Sequence, residues 1–207
     1  ITVTPTYTNG GATCSGTPIN FTITVNPSPT VSAVTNQTLC AGSSTAAINF
    51  SGNLASTVYN WTNSNTSIGL PASGTGNIAS FTAINGGTTV VVATITVTPV
   101  FTNAGVTCPG IPRNFTITVN PIPTVNAVNN QTVCAGAMTT AITFTGAVAG
   151  SSYSWINSNT AIGLGAGGTG NIAAFTAVNG GTTPITGTIT VTPTYTNGGA
   201  TCSGTPI

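Results

Sequence analysis

The sequence lacks the side chains on which most protein chemistry depends. It contains no Asp, Glu or His, and its only Lys or Arg is Arg113. General acid–base catalysis needs a group that exchanges protons near neutral pH, and calcium or zinc sites need carboxylates or clustered Cys and His. A single arginine gives no basic surface for nucleic acid or an anionic membrane. We therefore expect no enzyme, no cofactor, no metal and no nucleic-acid partner.

Long hydrophobic runs and helical periodicity are also missing. The most apolar strip, residues 90–93, has the length of a strand and is far too short to span a bilayer, so no membrane insertion is expected. The β-branched residues Thr, Val and Ile together are abundant and suit pleated strands, and hydrophobic residues reach 40%. This composition differs from the charged composition of disordered chains. The chain is predicted to be all-β.

An internal repeat dominates the sequence. The segment Ile-Thr-Val-Thr-Pro begins at Ile1, Ile95 and Ile189, which are 94 residues apart, and no gaps are needed between the copies. Residues 1–19 are identical to residues 189–207. Both ends thus fall at corresponding points of the repeat, and we expect the sequence to be cut from a longer array.

The boundaries of the repeat are predicted by proline. An alternating segment, Asn-Phe-Thr-Ile-Thr-Val-Asn, is followed by Pro27-x-Pro29 and later by Pro121-x-Pro123. Proline donates no hydrogen bond to a ladder and holds the chain extended, so each copy indicates a closing strand followed by a stiff junction. Three pieces follow. Residues 1–27 are the last two strands of a preceding domain, 28–121 are a complete domain, and 122–207 are a domain without its last strand.

The complete domain is predicted to be a seven-stranded β-sandwich, because short alternating segments are separated by polar turns. The fifth turn contains Asn85-Gly86-Gly87, a strong turn signal. The predicted strands are residues 30–34 with a continuation at 37–40, then 46–51, 57–62, an edge strand near 67–70, 77–84, 90–102 and 114–120.

Three features resemble a known family. They are Tyr59-x-Trp61 on the third strand, Cys40-Ala-Gly before the second, and a cysteine-containing turn before the final Phe-Thr-Ile-Thr-Val strand. Together they resemble the PKD-like and Ig-like tandem repeats of Bacteroidota cell-surface adhesins, including gliding-motility adhesins exported by the type IX route. The resemblance covers the 94-residue unit. It implies tandem Ig-like/PKD-like sandwiches arranged as an extended array.

The aromatic residues of the third strand have two interpretations. Trp61 and Trp155 match the buried core tryptophan of sandwich domains, and Tyr59 and Tyr153 share their side of the strand. Exposed tryptophans would instead offer stacking platforms for sugars. We expect all four to belong to the core.

The five cysteines recur at two positions of the repeat. Strand directions alternate in a sandwich, so the turn holding Cys40 lies at the end where the chain leaves, beside the next domain. This favours a bond between Cys40 and Cys202, with the partners of Cys14, Cys108 and Cys134 outside the sequence. Pairing within one domain would have to span its length, about 35 Å, against about 6 Å between bonded Cα atoms. Intradomain pairs and free buried thiols remain alternatives.

The predicted function is structural. We expect an extracellular stalk or filament segment on a bacterial surface, stiffened by disulfides and Pro-x-Pro junctions, whose partners are neighbouring repeats and, laterally, other filaments. The surface ligand is unknown at this point. Two alternatives stay open: a glycan- or protein-binding Ig-like module using the loop 63–76, and a self-assembling fibre in which residues 1–27 supply the strand that 122–207 lacks.

Overall fold

The computed structural model describes residues 1–207, and its regular structure is almost entirely β, as the sequence predicts. It contains no α-helix, only the two short 3-10 helices η1 (Thr66–Ile68) and η2 (Thr160–Ile162). None of its helices has the length and apolarity needed to cross a bilayer. The strands are β1 (Thr2–Val3), β2 (Thr6–Asn9), β3 (Ala12–Ser15), β4 (Ile19–Asn20), β5 (Gln37–Cys40), β6 (Val58–Asn63), β7 (Ser73–Thr75), β8 (Val91–Asn103), β9 (Val106–Pro109), β10 (Arg113–Asn120), β11 (Ser152–Asn157), β12 (Gly167–Thr169), β13 (Ile189–Asn197) and β14 (Ala200–Ser203).

The largest sheet lies within residues 28–121. Its strand order is β5-β10-β8-β6-β7, and β9 pairs with β8 as the second arm of a hairpin. All pairs are antiparallel except β5–β10, which is parallel. The long strand β8 alternates because Ala93, Ile95 and Val97 face inward while the threonines between them face out.

The opposing layer is thinner than predicted. Continuous strands over 46–51 and 77–84 were expected, but these two segments pair only at Ile48–Ile78, and a second isolated pair joins Thr82 to Ser44, before the first segment. The cause is that side-chain oxygens take the place of backbone carbonyls as hydrogen-bond acceptors in this layer. The backbone N of Phe50 donates to Oδ1 of Asn77, and the N of Phe81 donates to Oγ1 of Thr45. Residues 30–34 likewise form no strand, and Ser32 N donates to the Ser51 carbonyl.

Two further expectations were wrong in detail. The edge strand predicted near 67–70 is helix η1, because Asn65 accepts a hydrogen bond from Ser67 N and Gly69 closes the turn at φ 95°. The edge position belongs to β7. The cysteine-containing turn before β10 is in fact strand β9, since its residues pair with β8 from Asn103–Val106 to Val100–Pro109.

The core of residues 28–121 lies between these layers. Fourteen buried apolar residues form one cluster, in which Ile95, Ile117 and Val119 are fully buried. Phe50 packs against the rings of Tyr59 and Phe115, with centroid distances of 5.7 and 6.4 Å. Each fully buried side chain of this size contributes about 1.5–3 kcal/mol.

Residues 122–207 reproduce this arrangement with one side missing. Their sheet has the order β12-β11-β13-β14, and isolated pairs join Met138 to Thr176 and Ile142 to Ile172. They contain no counterpart of β5 or β10. Their main core cluster is correspondingly small and consists of four buried residues, which are Phe144, Trp155, Ile172 and Val191.

Residues 1–27 form two small pairings. Strand β1 pairs with β4 through Thr2–Asn20 and Val3–Ile19, and β2 pairs with β3 as a hairpin. Every residue of these four strands is exposed. They match the positions of β8, β9 and β10 in the repeat, without the layers that bury those strands.

Candidate junction site

A disulfide joins the two larger parts of the chain. The sulfurs of Cys40 and Cys202 are 1.98 Å apart, their Cα atoms are 5.5 Å apart, and 162 positions separate them in the sequence. Cys40 ends β5, and Cys202 lies in β14 of the following part of the chain with 1% of its surface exposed. This is the pairing favoured by the alternation of strand directions.

Beside the disulfide, two asparagines form a reciprocal amide pair. The Nδ2 of Asn120 donates to the Asn197 carbonyl at 3.0 Å, and the Nδ2 of Asn197 donates to Oδ1 of Asn120 at 2.9 Å. The Asn120 side chain is fully buried, and its own carbonyl accepts from the N of Ala41. Burying an amide without hydrogen-bond partners costs free energy. These two hydrogen bonds therefore fix the position of the end of β10 against the β13–β14 turn.

The turn between β13 and β14 is shaped to fit this place. Gly198 and Gly199 have φ values of 57° and 81°, the left-handed region that a tight two-residue hairpin requires. A Cβ on Gly198 would lie 2.9 Å from Cγ2 of Thr38, a residue of β5. Glycine thus serves both the turn and the close approach of the hairpin to the neighbouring strand.

The same amide pair occurs one repeat earlier. The Nδ2 of Asn103 donates to Oδ1 of Asn26 at 2.8 Å, and the Nδ2 of Asn26 donates weakly to the Asn103 carbonyl at 3.4 Å. Asn26 and Asn103 stand 94 residues before Asn120 and Asn197. The same type of asparagine contact therefore occurs at both junctions. Sequence reasoning missed this pair, although the recurrence of both asparagines was a signal for it.

The junction prolines lie against glycines. Pro29, Pro121 and Pro123 are fully buried, whereas Pro27 is exposed. A Cβ on Gly110 would lie 1.9 Å from the Pro29 carbonyl oxygen. Gly204 stands in the same relation to Pro123, also at 1.9 Å. Since such contacts are forbidden, only glycine allows the chain to pass there.

The predicted aromatic residues lie on β6 and β11. Trp61 and Trp155 are 7% and 9% exposed, and Tyr59 and Tyr153 are half-buried against Phe50 and Phe144. The indole of Trp61 lies on β7, where a Cβ on Gly74 would be 2.2 Å from Cζ2. Neither indole presents an open face of the kind needed to stack a sugar.

Three cysteines are unpaired. Cys14 and Cys134 are exposed, and Cys108 is half-buried on β9. The sole arginine, Arg113, is exposed at the start of β10, beside a groove of about 350 Å³ that Val31, Val97 and Phe115 also line. No acidic side chain exists to pair with it.

These features define a class: an all-β protein with a long-range disulfide, which indicates an oxidising compartment outside the cytoplasm. No protein-family model matches the chain, and no curated protein matches it in sequence.

Proposed function

We propose that the chain is a structural segment of an extracellular tandem-repeat filament, a stalk that holds an adhesive part away from a bacterial surface. The observation that carries this proposal is the junction: a disulfide and a buried amide pair link one 94-residue unit to the next, and the amide pair recurs at the preceding junction. An array whose units contact only their neighbours is suited to spanning distance.

The units are proposed to be Ig-like/PKD-like sandwiches, one complete in residues 28–121 and two partial in 1–27 and 122–207. The parallel pairing of β5 with β10 and the thin layer containing Ile48 and Ile78 support this assignment. In an extended array, Cys14, Cys108 and Cys134 would each bond to the cysteine one unit away, as Cys40 does to Cys202.

A ligand-binding module has no observation in its favour. Trp61 and Trp155 are buried, and several polar groups of the loop 63–76 bond within the loop. The Nδ2 of Asn63 donates to the carbonyls of Leu70 and Pro71, for example, and its Oδ1 accepts from Asn65 N.

Mechanical stretching tests the stalk. When the polypeptide is pulled by its ends, force passes through the Cys40–Cys202 bond, and the 162-residue span between them is shielded. We expect reduction to release about 550 Å of additional length, at ~3.4 Å per residue. The matched control is Cys108→Ser, which removes an unpaired thiol and should leave the oxidised trace unchanged.

Labelling of cells tests the location. Antibodies against the folded polypeptide should label structures projecting from intact source cells under the electron microscope. Labelling seen only after the cells are opened, or equal extension of the oxidised and reduced polypeptides, would contradict the stalk.

A further inference from the structure

The hairpin at the junction places an asparagine directly before a glycine. Asn197 ends β13, and Gly198 begins the turn that leads to β14. In such a dipeptide the asparagine side chain loses its amide readily, because glycine has no side chain to hinder attack by its own backbone nitrogen. Gly198 and Gly199 are exposed, so water reaches the turn.

The folded junction holds the Asn197 side chain away from this reaction. Its Nδ2, the atom that leaves as ammonia, donates to Oδ1 of Asn120 at 2.9 Å, and its backbone carbonyl accepts from Nδ2 of Asn120 at 3.0 Å. Cγ of Asn197 cannot turn onto the nitrogen of Gly198 without breaking the first of these bonds. The Cys40–Cys202 disulfide ties the same hairpin to β5. Deamidation therefore requires the hairpin to leave its place.

The deamidated side chain no longer fits that place. A carboxylate at position 197 puts an oxygen, in place of Nδ2, against Oδ1 of the fully buried Asn120. The only arginine, Arg113, lies at the other end of β10 and does not balance the charge. Burying a carboxylate without a partner costs free energy. The isoaspartate form also adds a methylene to the main chain at the end of the β13 ladder.

We propose that Asn197 is a deamidation site protected by the junction. Reduction of Cys40–Cys202 and opening of the hairpin expose it, and the acidic product prevents the hairpin from docking again. The junction thus keeps an irreversible chemical record of having been opened. This inference concerns the junction alone and is independent of the location or length of the proposed stalk.

The chemistry needs a thiol reductant and water. Two external thiols reduce Cys40–Cys202, form their own disulfide and supply the two thiol protons. The deprotonated nitrogen of Gly198 then attacks Cγ of Asn197 and closes a succinimide ring, while the Cγ–Nδ2 bond breaks and ammonia leaves. One water opens the ring at either carbonyl and gives aspartate or isoaspartate. The deamidation itself consumes one water and releases one ammonia without oxidation or reduction.

The preceding junction makes the same asparagine contact without the reactive dipeptide. There Asn103 pairs with Asn26, and the next residue is Ala104 at φ 48°. The alanine methyl group hinders attack by the backbone nitrogen, although an alanine at positive φ is strained. The modification is therefore specific to the junction between Asn120 and Asn197.

The chain also contains an unprotected copy of the hairpin, which serves as the reference in the test. Residues 1–19 are identical to 189–207, so Asn9 and Asn197 have the same neighbours in sequence. The turns also match, with φ values of 58° and 83° at Gly10 and Gly11. In the 207-residue polypeptide Asn9 is exposed, and no side chain of the junction type bonds to it.

The first experiment compares the two asparagines in one sample. The oxidised polypeptide is incubated until half of Asn9 has reacted, and peptide mass spectrometry measures aspartate and isoaspartate at both positions. We expect conversion of Asn197 to be slower by about tenfold or more, because it reacts only from the open state. A thiol reductant should raise the rate at Asn197 and leave Asn9 unchanged. Equal rates in the oxidised protein, or no effect of reduction, would overturn the proposal.

The second experiment opens the junction without a reductant. Asn120→Ala removes the acceptor of Nδ2 and should raise the rate at Asn197 about tenfold or more in the oxidised protein. Asn85, also followed by glycine, reports unfolding of the whole unit, since its Nδ2 donates to the Thr89 and Val119 carbonyls. An increase at Asn85 equal to that at Asn197, or no increase at Asn197, contradicts local opening.

The third experiment tests the consequence of the modification. Asn197→Asp mimics the aspartate product, and Asn9→Asp adds the same charge to the reference hairpin. We expect a thiol to reduce Cys40–Cys202 about tenfold or more faster in Asn197→Asp than in the unchanged protein, because the hairpin no longer docks. Asn9→Asp should behave as the unchanged protein. Equal reduction rates in the two variants would show that the product still docks and would refute the irreversible step.

Discussion

At the scale of single residues, asparagine side chains make polar contacts at the junction that charged side chains make in many other proteins. Asn120 is fully buried and exchanges two hydrogen bonds with Asn197, one from each side-chain nitrogen. With no Asp or Glu in the chain, the junction cannot be fixed by ion pairs. A reciprocal amide pair offers directionality without the desolvation penalty of a buried charge.

We expect Asn120→Ala to lower the free energy of unfolding by about 1–3 kcal/mol, because it leaves the half-buried Nδ2 of Asn197 without its acceptor. Denaturant unfolding followed by tryptophan fluorescence measures the change. Asn26→Ala is the matched control, since Asn26 makes the corresponding contact in a more exposed place, with one long bond of 3.4 Å. It should cost clearly less, and equal costs would count against a special role for the buried pair.

At the scale of elements, hairpins rather than loops form the junctions. The turn β13–β14 contains Asn197-Gly198-Gly199-Ala200, while the turn β8–β9 has Ala104 at φ 48° in the place of Gly198. A side chain in the left-handed region costs about 1 kcal/mol. The two hairpins thus provide a comparison within one molecule.

We expect Gly198→Ala to destabilise the protein by about 1 kcal/mol or more, from the positive φ and from the clash with Thr38. The reverse change, Ala104→Gly, relieves a positive φ and should stabilise by at most ~1 kcal/mol. Thermal unfolding of both variants measures the two changes in stability. Opposite signs support the argument, and a neutral Gly198→Ala would show that the hairpin can move away from β5.

Several elements were predictable because their information is local. The alternation in β8 and β10 and the glycine-containing turns follow from side-chain period and backbone freedom. Helix η1 was missed since a three-residue turn depends on the single cap Asn65. The interrupted layer was missed because Asn77 and Thr45 replace backbone partners across 27 and 36 positions, which no local pattern records.

At the scale of the whole molecule, the absence of acidic residues and histidine controls the response to pH. The dependence of unfolding free energy on pH equals the difference in protons bound by the folded and unfolded states. Between pH 4.5 and 7 the side chains that ordinarily titrate are Asp, Glu and His, and the chain has none.

We therefore expect the thermal midpoint to stay within about 2 °C from pH 4.5 to 7, and to respond weakly to salt, since few charges are present to screen. Scanning calorimetry across this range measures it. The Asn120→Asp variant is the control, because its new carboxylate has a titratable charge at a buried site and should introduce a pH dependence. A strong dependence in the unchanged protein would contradict the argument.

The sequence by itself determined the repeat of 94 residues, the all-β class and the alternation that separates core from surface, because each follows from periods along the chain. Through the alternation of strand directions, it also favoured the pairing of Cys40 with Cys202 over the alternatives. Tertiary structure decided which asparagines meet and how the β13–β14 hairpin approaches Thr38. These contacts and the Cys40–Cys202 disulfide join residues up to 162 positions apart, and their geometry exists only once the units are packed.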